Sequence, residues 1–392
     1  MKKVLFASVL AALLSCAPLS HAVEVGDVTI GVLGNLFVKK FSAENKDLPY
    51  SSVSSQGLFS GQLIIDKKFD MGGEFSLTIA MGNGDNVGGA NTSPEVILSD
   101  IWYSQSILEK LLVVVGRFAP LGGDNLVLGD EQRQFINSVF VKDTSDRIPF
   151  QADGGDAWGF SADYAFSEVL EVGYGYSGPI GQAPDTFVTD YETYPVTVYG
   201  QNGDVLVTST GTITVPVGHV VKGKKYSPEA DGYNAAEVNL KLLDNGNYRF
   251  KYWLSNDKLD GADKGPSGFS MSFDQQILYG ISLGLRFGNV SDEKTLPYST
   301  INNFSVKQTF SFGIGADGAL WNRVLDGAGL AFGIQKLYAL SGNPQISIVE
   351  GYYKYCLTTF VFITPSVSYH DVSSFADLEN YFEYALRMHV EF

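Results

Sequence analysis

The last nine residues of the chain, Tyr384 to Phe392, alternate without a break. Tyr384, Leu386, Met388, Val390 and Phe392 are apolar, and Arg387, His389 and Glu391 stand between them. Successive side chains on a β-strand point to opposite faces, so this segment has one oily face and one wet face. The edge strand of a soluble sandwich would alternate in the same way. A terminal strand closing on an aromatic residue favours the other architecture with this pattern, a bacterial outer-membrane barrel, whose apolar side meets lipid and whose polar side meets a hydrated interior. The rest of the chain decides between them.

Lys2 and Lys3 precede an apolar run from Val4 to Leu14, and Ser20-His21-Ala22 places small residues around a cleavage point. Residues 1–22 therefore read as a secretory signal, too short to span a bilayer as a helix, with the mature chain expected to begin at Val23. A competing reading is lipidation at Cys16, because Leu13-Leu14-Ser15-Cys16 loosely resembles an acylation site. Past the signal no stretch of ~20 apolar residues occurs, so no transmembrane helix is expected. Cys356 is then the one remaining cysteine, which excludes an intrachain disulfide and a cysteine metal site. The formal net charge is −16, and removal of Lys2 and Lys3 makes it −18, the opposite of a nucleic-acid footprint. Cation selectivity does not follow, because much of the acid falls in expected loops.

Alternating segments succeed one another along the mature chain, and no linker divides it. Clear cases are Gly57–Phe69, Phe75–Met81, Trp158–Tyr164, Ala236–Leu242, Tyr248–Leu254, Ile281–Phe287, Phe304–Ile314 and Val361–Tyr369. Less regular ones are Val28–Val38, Val96–Ser104, Leu111–Phe118, Val169–Tyr176, Phe269–Gln275, Ala328–Gln335 and Ile346–Leu357. With the terminal strand they number about sixteen, an even count in the range of large pores. The connections sort by length: 39–56, 83–94, 119–156, 178–233, 257–267 and 289–303 are long, whereas 70–73, 106–110, 167–168, 244–246 and 358–360 are short. Connection 317–326 breaks that rhythm. A sandwich has no reason to sort its loops, and a membrane barrel does.

The expected fold is thus all-β: a closed antiparallel transmembrane barrel of about sixteen strands, with short periplasmic turns, long extracellular loops and an inward-folded constriction loop. Closure is obligatory because an unpaired amide in hydrocarbon costs several kcal/mol. The strands near Val28 and Tyr384 should therefore pair. Aromatic residues such as Trp158, Tyr164, Tyr176, Tyr248 and Tyr384 suit the two interfacial girdles.

The third long connection is the expected constriction. It carries Asp124, Asp130, Glu131, Arg133, Lys142, Asp146 and Arg147, mixed in sign, which fits neutral polar solutes better than a single-sign row would. The wet phase of the strands supplies the lumen candidates Trp102, Arg117, Arg249, Lys251, Trp253, Arg286, Lys307, Arg387 and Glu391. Indole rings can stack on the apolar face of a pyranose, while guanidinium and carboxylate groups bond its hydroxyls. A slip of one residue would turn Trp253 to lipid instead. In connection 178–233, Asn202-Gly203 between β-rich runs reads as a hairpin, expected to lie outside the barrel.

Several segments resemble the carbohydrate-selective porin (OprB-type) family. Asp130 to Phe140 is similar to the family's segment ending in an Asn-Ser-x-Phe run, and Gly268 to Gln276 to its Ser-Phe-Asp-Gln strand. Glu350-Gly351-Tyr352-Tyr353-Lys354-Tyr355 followed by Ile363-Thr364-Pro365-Ser366-Val367 is similar to its penultimate hairpin. The match is spread over roughly residues 100–370 and leaves 178–233 unmatched. The resemblance implies a sixteen-strand pore with an inward-folded constriction formed around Asp130 to Phe140, passing small sugars by passive diffusion in a diderm outer membrane. A general or ion-selective diffusion pore is the alternative. No cofactor is implied, and the expected partners are solutes, outer-membrane lipid and the barrel-assembly machinery, as a monomer or a homotrimer. An outer-membrane enzyme is the rival class. Its basis is thin: His219, His370 and His389 remain after export, and the His370-Asp371 pair, expected in a loop, offers no nucleophile.

Overall fold

The computed structural model describes residues 23–42, 55–82, 97–118, 121, 125, 127–128, 134–141, 158–178, 181–182, 186–202, 205–221, 225–226, 232–243, 245–256, 267–290, 305–338, 345–374 and 379–391. The chain forms two compact units, residues 180–227 being one and the remainder the other.

The larger unit begins with a short strand β1 (Val23–Val25) and then β2 (Val28–Phe41), β3 (Ser55–Phe69), β4 (Gly73–Gly82), β5 (Ile97–Ile107), β6 (Leu111–Arg117), β7 (Trp158–Ala165) and β8 (Leu170–Gly178). After the second unit, which holds β9 (Gly181–Gln182), β10 (Thr186–Asn202), β11 (Val205–Val221) and β12 (Lys225–Tyr226), it resumes. The second half contains β13 (Tyr233–Leu240), β14 (Gly246–Ser255), β15 (Ser267–Leu278), β16 (Ile281–Val290), β17 (Ser305–Asp317), β18 (Gly327–Tyr338), β19 (Gln345–Thr358), β20 (Val361–Asp371) and β21 (Tyr381–Glu391). Each strand pairs antiparallel with the next, β8 pairs with β13 across the inserted unit, and β2 pairs with β21. The result is a closed sixteen-strand antiparallel barrel with β1 added to β2. Each segment read from the sequence as a strand corresponds to one barrel strand.

Period-two patterning fixes which way the side chains face. On β21, Phe382, Tyr384 and Leu386 are exposed, whereas Tyr381, Glu383, Ala385, Arg387 and His389 are buried. The register carries that phase around the barrel: Arg387 faces Phe37 and Thr364, and Glu383 faces Phe41 and Ser368. The outward phase is apolar and aromatic, and includes Trp158, Tyr164 and Tyr384. Burying such a face in hydrocarbon is favourable, and closing the ladder satisfies the backbone.

Two local expectations need correction. Residues 317–326 do join two strands on the short-turn side, but as a folded knot. A single 3-10 turn (Gly318–Trp321) ends on Asn322 at φ 62, and Arg323 Nε donates to Asp326 Oδ2 at 2.6 Å. Asp326 also accepts from Tyr353 Oη at 2.6 Å and from the Cys356 N–H at 2.9 Å, so the extra residues wrap one buried carboxylate. His370-Asp371, expected in a loop, belongs to β20, because the inward phase Ser366, Ser368, His370 continues unbroken. The second unit contains the hairpin that its Asn-Gly pair signalled: β10 and β11 pair from Thr186↔Val221 to Asn202↔Val205.

Candidate functional site

The inner wall is where solute chemistry would occur, and its polar phase comes from alternate residues of each strand. Arg249, Lys251 and Trp253 alternate with Phe250, Tyr252 and Leu254 on β14; the first set is inward and the second is exposed. Across the strands Arg249 faces Ser272, Ser272 faces Arg286, and Arg286 faces Ser311. Two guanidiniums therefore stand on one level of the wall, on β14 and β16 with β15 between them. Trp253 is 1 % exposed, lies against Tyr233 with ring centroids 6.2 Å apart, and its indole Nε1 has no hydrogen-bond partner among the described residues. Its close approach to Gly268, where a Cβ would come within 2.6 Å of the indole, explains why that position holds glycine.

Trp102 faces Gly116 and takes the inward phase with Ser104. Arg387 is fully buried, with its guanidinium 5.8 Å from the Phe37 ring centroid. Arg117 is placed otherwise: it faces Ile101 and Trp158, the outward phase, so strand periodicity at the end of β6 was read one residue off. Asp124, Asp130, Glu131, Arg133, Lys142, Asp146 and Arg147 lie outside the described residues.

The described parts of the third long connection are seated on the inner wall. Leu121 O accepts from Lys251 Nζ at 3.3 Å. Asn125 Nδ2 donates to Ser272 Oγ at 3.1 Å and to Phe273 O at 2.9 Å, while its Oδ1 accepts from the N–H groups of Val127 and Leu128. Val127 and Leu128 then lie over Gly284 of β16 and Gly313 of β17, which face each other across the ladder. Next come Gln134 and the one-turn helix α1 (Ser138–Val141). Phe135 packs edge-on to Tyr352 at 4.8 Å, and Val139 and Phe140 lie over Gly333. These residues form one apolar cluster inside the barrel with Ala331 and Ile348.

Glu350 closes this seat. Fully buried, its carboxylate accepts from the Ile136 N–H at 2.8 Å, the Asn137 N–H at 3.2 Å and Asn137 Nδ2 at 2.6 Å. Asn137 Nδ2 also reaches Ser368 Oγ at 2.9 Å, and on the next strand Arg387 Nη2 donates to Gln134 O at 2.7 Å. Glu350 was quoted in the sequence only as part of a strand, and its role as an anchor was not read. Nearby, Glu383 pairs with Lys39 Nζ at 3.1 Å and lies 3.4 Å from His370 Nε2, whose ring stacks on Tyr381. His389 Nδ1 is 2.9 Å from Asn35 Oδ1, and its Nε2 lies 3.5 Å from Glu391. His370 and His389 are thus engaged by wall residues. Among the described residues no group of three or more His, Cys, Asp or Glu side chains could hold a metal.

A closed sixteen-strand barrel with an inward-seated third connection has the fold of a porin. The solved structures similar to it include the high-pH structure of OprB from Pseudomonas putida, at a TM-score of 0.61 and 15% identity, covering 93% of this chain and 94% of that one. A mutant of Rhodopseudomonas blastica porin matches at 0.52 and 10% identity, over 93% of this chain and 100% of the other. The outer-membrane channel DcaP of Acinetobacter baumannii matches at 0.51 and 9%, over 95% and 100%. At such identities the likeness is one of fold. No family model and no curated protein matches the sequence.

Proposed function

We propose that the protein is an outer-membrane porin through which small hydrophilic solutes, carbohydrates among them, diffuse passively. The observation that carries this is the pairing of a polar inner wall with a loop held against part of it by Glu350, Asn125 and Arg387. A barrel filled to its centre would serve as an anchor; one with part of its wall left uncovered keeps a passage. In this reading solutes pass between the seated connection and the inner faces of β4 to β7, where Ser76, Thr78, Ser104 and Ser161 are inward. The charged residues from Asp124 to Arg147 border the opening. The Arg249–Arg286 level offers hydrogen-bond donors to sugar hydroxyls, which supports hydroxyl-rich solutes.

The test is conductance in planar bilayers. The protein should open discrete current steps, and mono- or oligosaccharides should block them in a saturable way. Replacing Arg249 with Ala or Arg286 with Ala should weaken block by about tenfold, the effect of losing ~1.4 kcal/mol of binding. Steps without any sugar block identify a general diffusion pore, and absence of current removes the channel reading altogether.

A further inference from the structure

The short turns of the barrel are built from the wrong residues for water. Their tips carry Met71, Leu108, Phe166, Leu243, Tyr279 and Val324, one on each of six successive turns, all between 59 and 89% exposed. Leu108 and Leu243 hold left-handed backbones, at φ 53 and φ 50, a conformation that glycine or asparagine adopts at far lower cost. Tight hairpin turns normally recruit Gly, Asn or Asp for this reason. Exposed leucine in a strained turn is thus doubly unfavourable in an aqueous setting.

We propose that this end of the barrel is a lipid-binding crown, its turn tips inserted into the interfacial layer of a phospholipid leaflet. The tips continue the outward apolar face: Leu108 follows Ile107 of β5, and Leu243 follows Leu242 just beyond β13, all of them exposed. They ring most of the circumference, from the turn after β3 to the turn after β17. A protein partner would touch one arc, whereas lipid surrounds a barrel on every side. Strand length gives a separate argument. β6 has 7 residues, and β7 and β13 have 8 each. At ~3.3 Å per residue and a tilt of ~40°, these span roughly 18–20 Å, short of an apolar band of ~25 Å. The turns carrying Leu108, Phe166 and Leu243 adjoin those strands and extend the band. Cations flank the crown as an interface requires: Lys67 lies 5.2 Å over the Phe69 ring, and Arg323 lies 4.4 Å over Tyr355. Their alkyl stems cover apolar surface; the Lys67 ammonium reaches phosphate, while the Arg323 guanidinium stays with Asp326.

The inference rests on the barrel spanning a membrane and is independent of what passes through it. Nitroxide labels at Leu108→Cys, Leu243→Cys and Tyr279→Cys, in a Cys356→Ser background of the processed chain, would be placed in phosphatidylcholine–phosphatidylglycerol vesicles. A label at Val238→Cys, on the outward face of β13, is the membrane control. Collision with a water-soluble nickel chelate should be severalfold lower at the three turn sites than on the urea-unfolded chain, and collision with oxygen higher. Chelate access at the turns equal to that of the unfolded chain, with Val238 protected, overturns the crown. Access at Val238 as well overturns the spanning barrel on which it stands. An independent measurement reads the opposite sign in the two settings. In water, L108N with L243N relieves the left-handed strain and raises the urea midpoint; in lipid it places amides in the interface and lowers it. A lowered midpoint in vesicles is expected, and a raised one refutes the proposal.

Discussion

At the scale of single residues, Glu350 matters most to how the interior is organised. A carboxylate has only acceptors, and here it satisfies two backbone donors of the inward connection and one amide. Glu350→Ala leaves the Ile136 and Asn137 N–H groups buried without partners, and should cost about 3 kcal/mol in reversible unfolding from liposomes. It should also make open-channel current noisy, because the segment around Asn137 loses its anchor. Ser368→Ala, which removes one bond of a group otherwise held, should cost about 1 kcal/mol or less. Asp326 supplies a pH prediction outside the spanning strands. Burial pushes its carboxyl up, but hydrogen bonds from Arg323, Tyr353 and the Cys356 N–H outweigh burial and hold it at about 2, below its ordinary 3.8. Its stabilising contribution is therefore complete above pH ~4 and is lost as pH falls through ~2, on the order of 1 kcal/mol at a solvent-screened rim. Asp326→Asn should flatten the acid limb of the stability curve in that window. Glu350 had a readable signal that went unused. Ile346, Ile348 and Tyr352 share its inward phase, so β19 is apolar on both faces, and an apolar inner face in a hydrated barrel implies that something covers it.

Among elements, strands were legible and their ends were not. Two-residue alternation survives wherever lipid and lumen lie on opposite sides, so each barrel strand left a pattern in the sequence. Ends depend on turn geometry, which is local. Connection 244–246 was read from the sequence as short, but among the described residues the left-handed positions are Leu243 and Asn245, and Gly246 already belongs to the strand. The knot at 318–326 was illegible for a related reason: its cause is a carboxylate bonded to residues ~30 positions away, which no turn rule describes. The inward connection depends on the strands beneath it. Gly284, Gly313, Gly329 and Gly333 leave the floor low enough for Leu128, Phe135 and Val139 to rest on it. At Gly313 a Cβ would stand 2.7 Å from Leu128 Cδ2. Gly313→Leu should lift the segment from the wall, destabilise the barrel by about 1–3 kcal/mol, and lower sugar block while leaving strand content by circular dichroism unchanged. The charges proposed for the opening were nameable from sequence only as a group, since loop residues carry no period from which direction can be read.

At the scale of the whole molecule, the barrel does not depend on the unit at 180–227. β8 and β13 pair residue for residue from Tyr233↔Ser177 to Leu240↔Leu170, so the ladder is complete without that insertion. Deleting residues 180–227 and joining the flanks with a short Gly-Ser linker should leave heat-modifiable migration on gels and the current steps intact. Loss of the folded band would show that the unit is part of the barrel's stability. The closing seam has a different consequence. Leu33 to Phe41 zips to Glu391 to Glu383, and Ser42 Oγ accepts from the Phe382 N–H across 340 positions of sequence. Nothing synthesised in between can substitute for either border of that seam. A chain lacking either border is therefore left with a raw edge of unpaired N–H and C=O groups. Closure of the cylinder waits on its last strand.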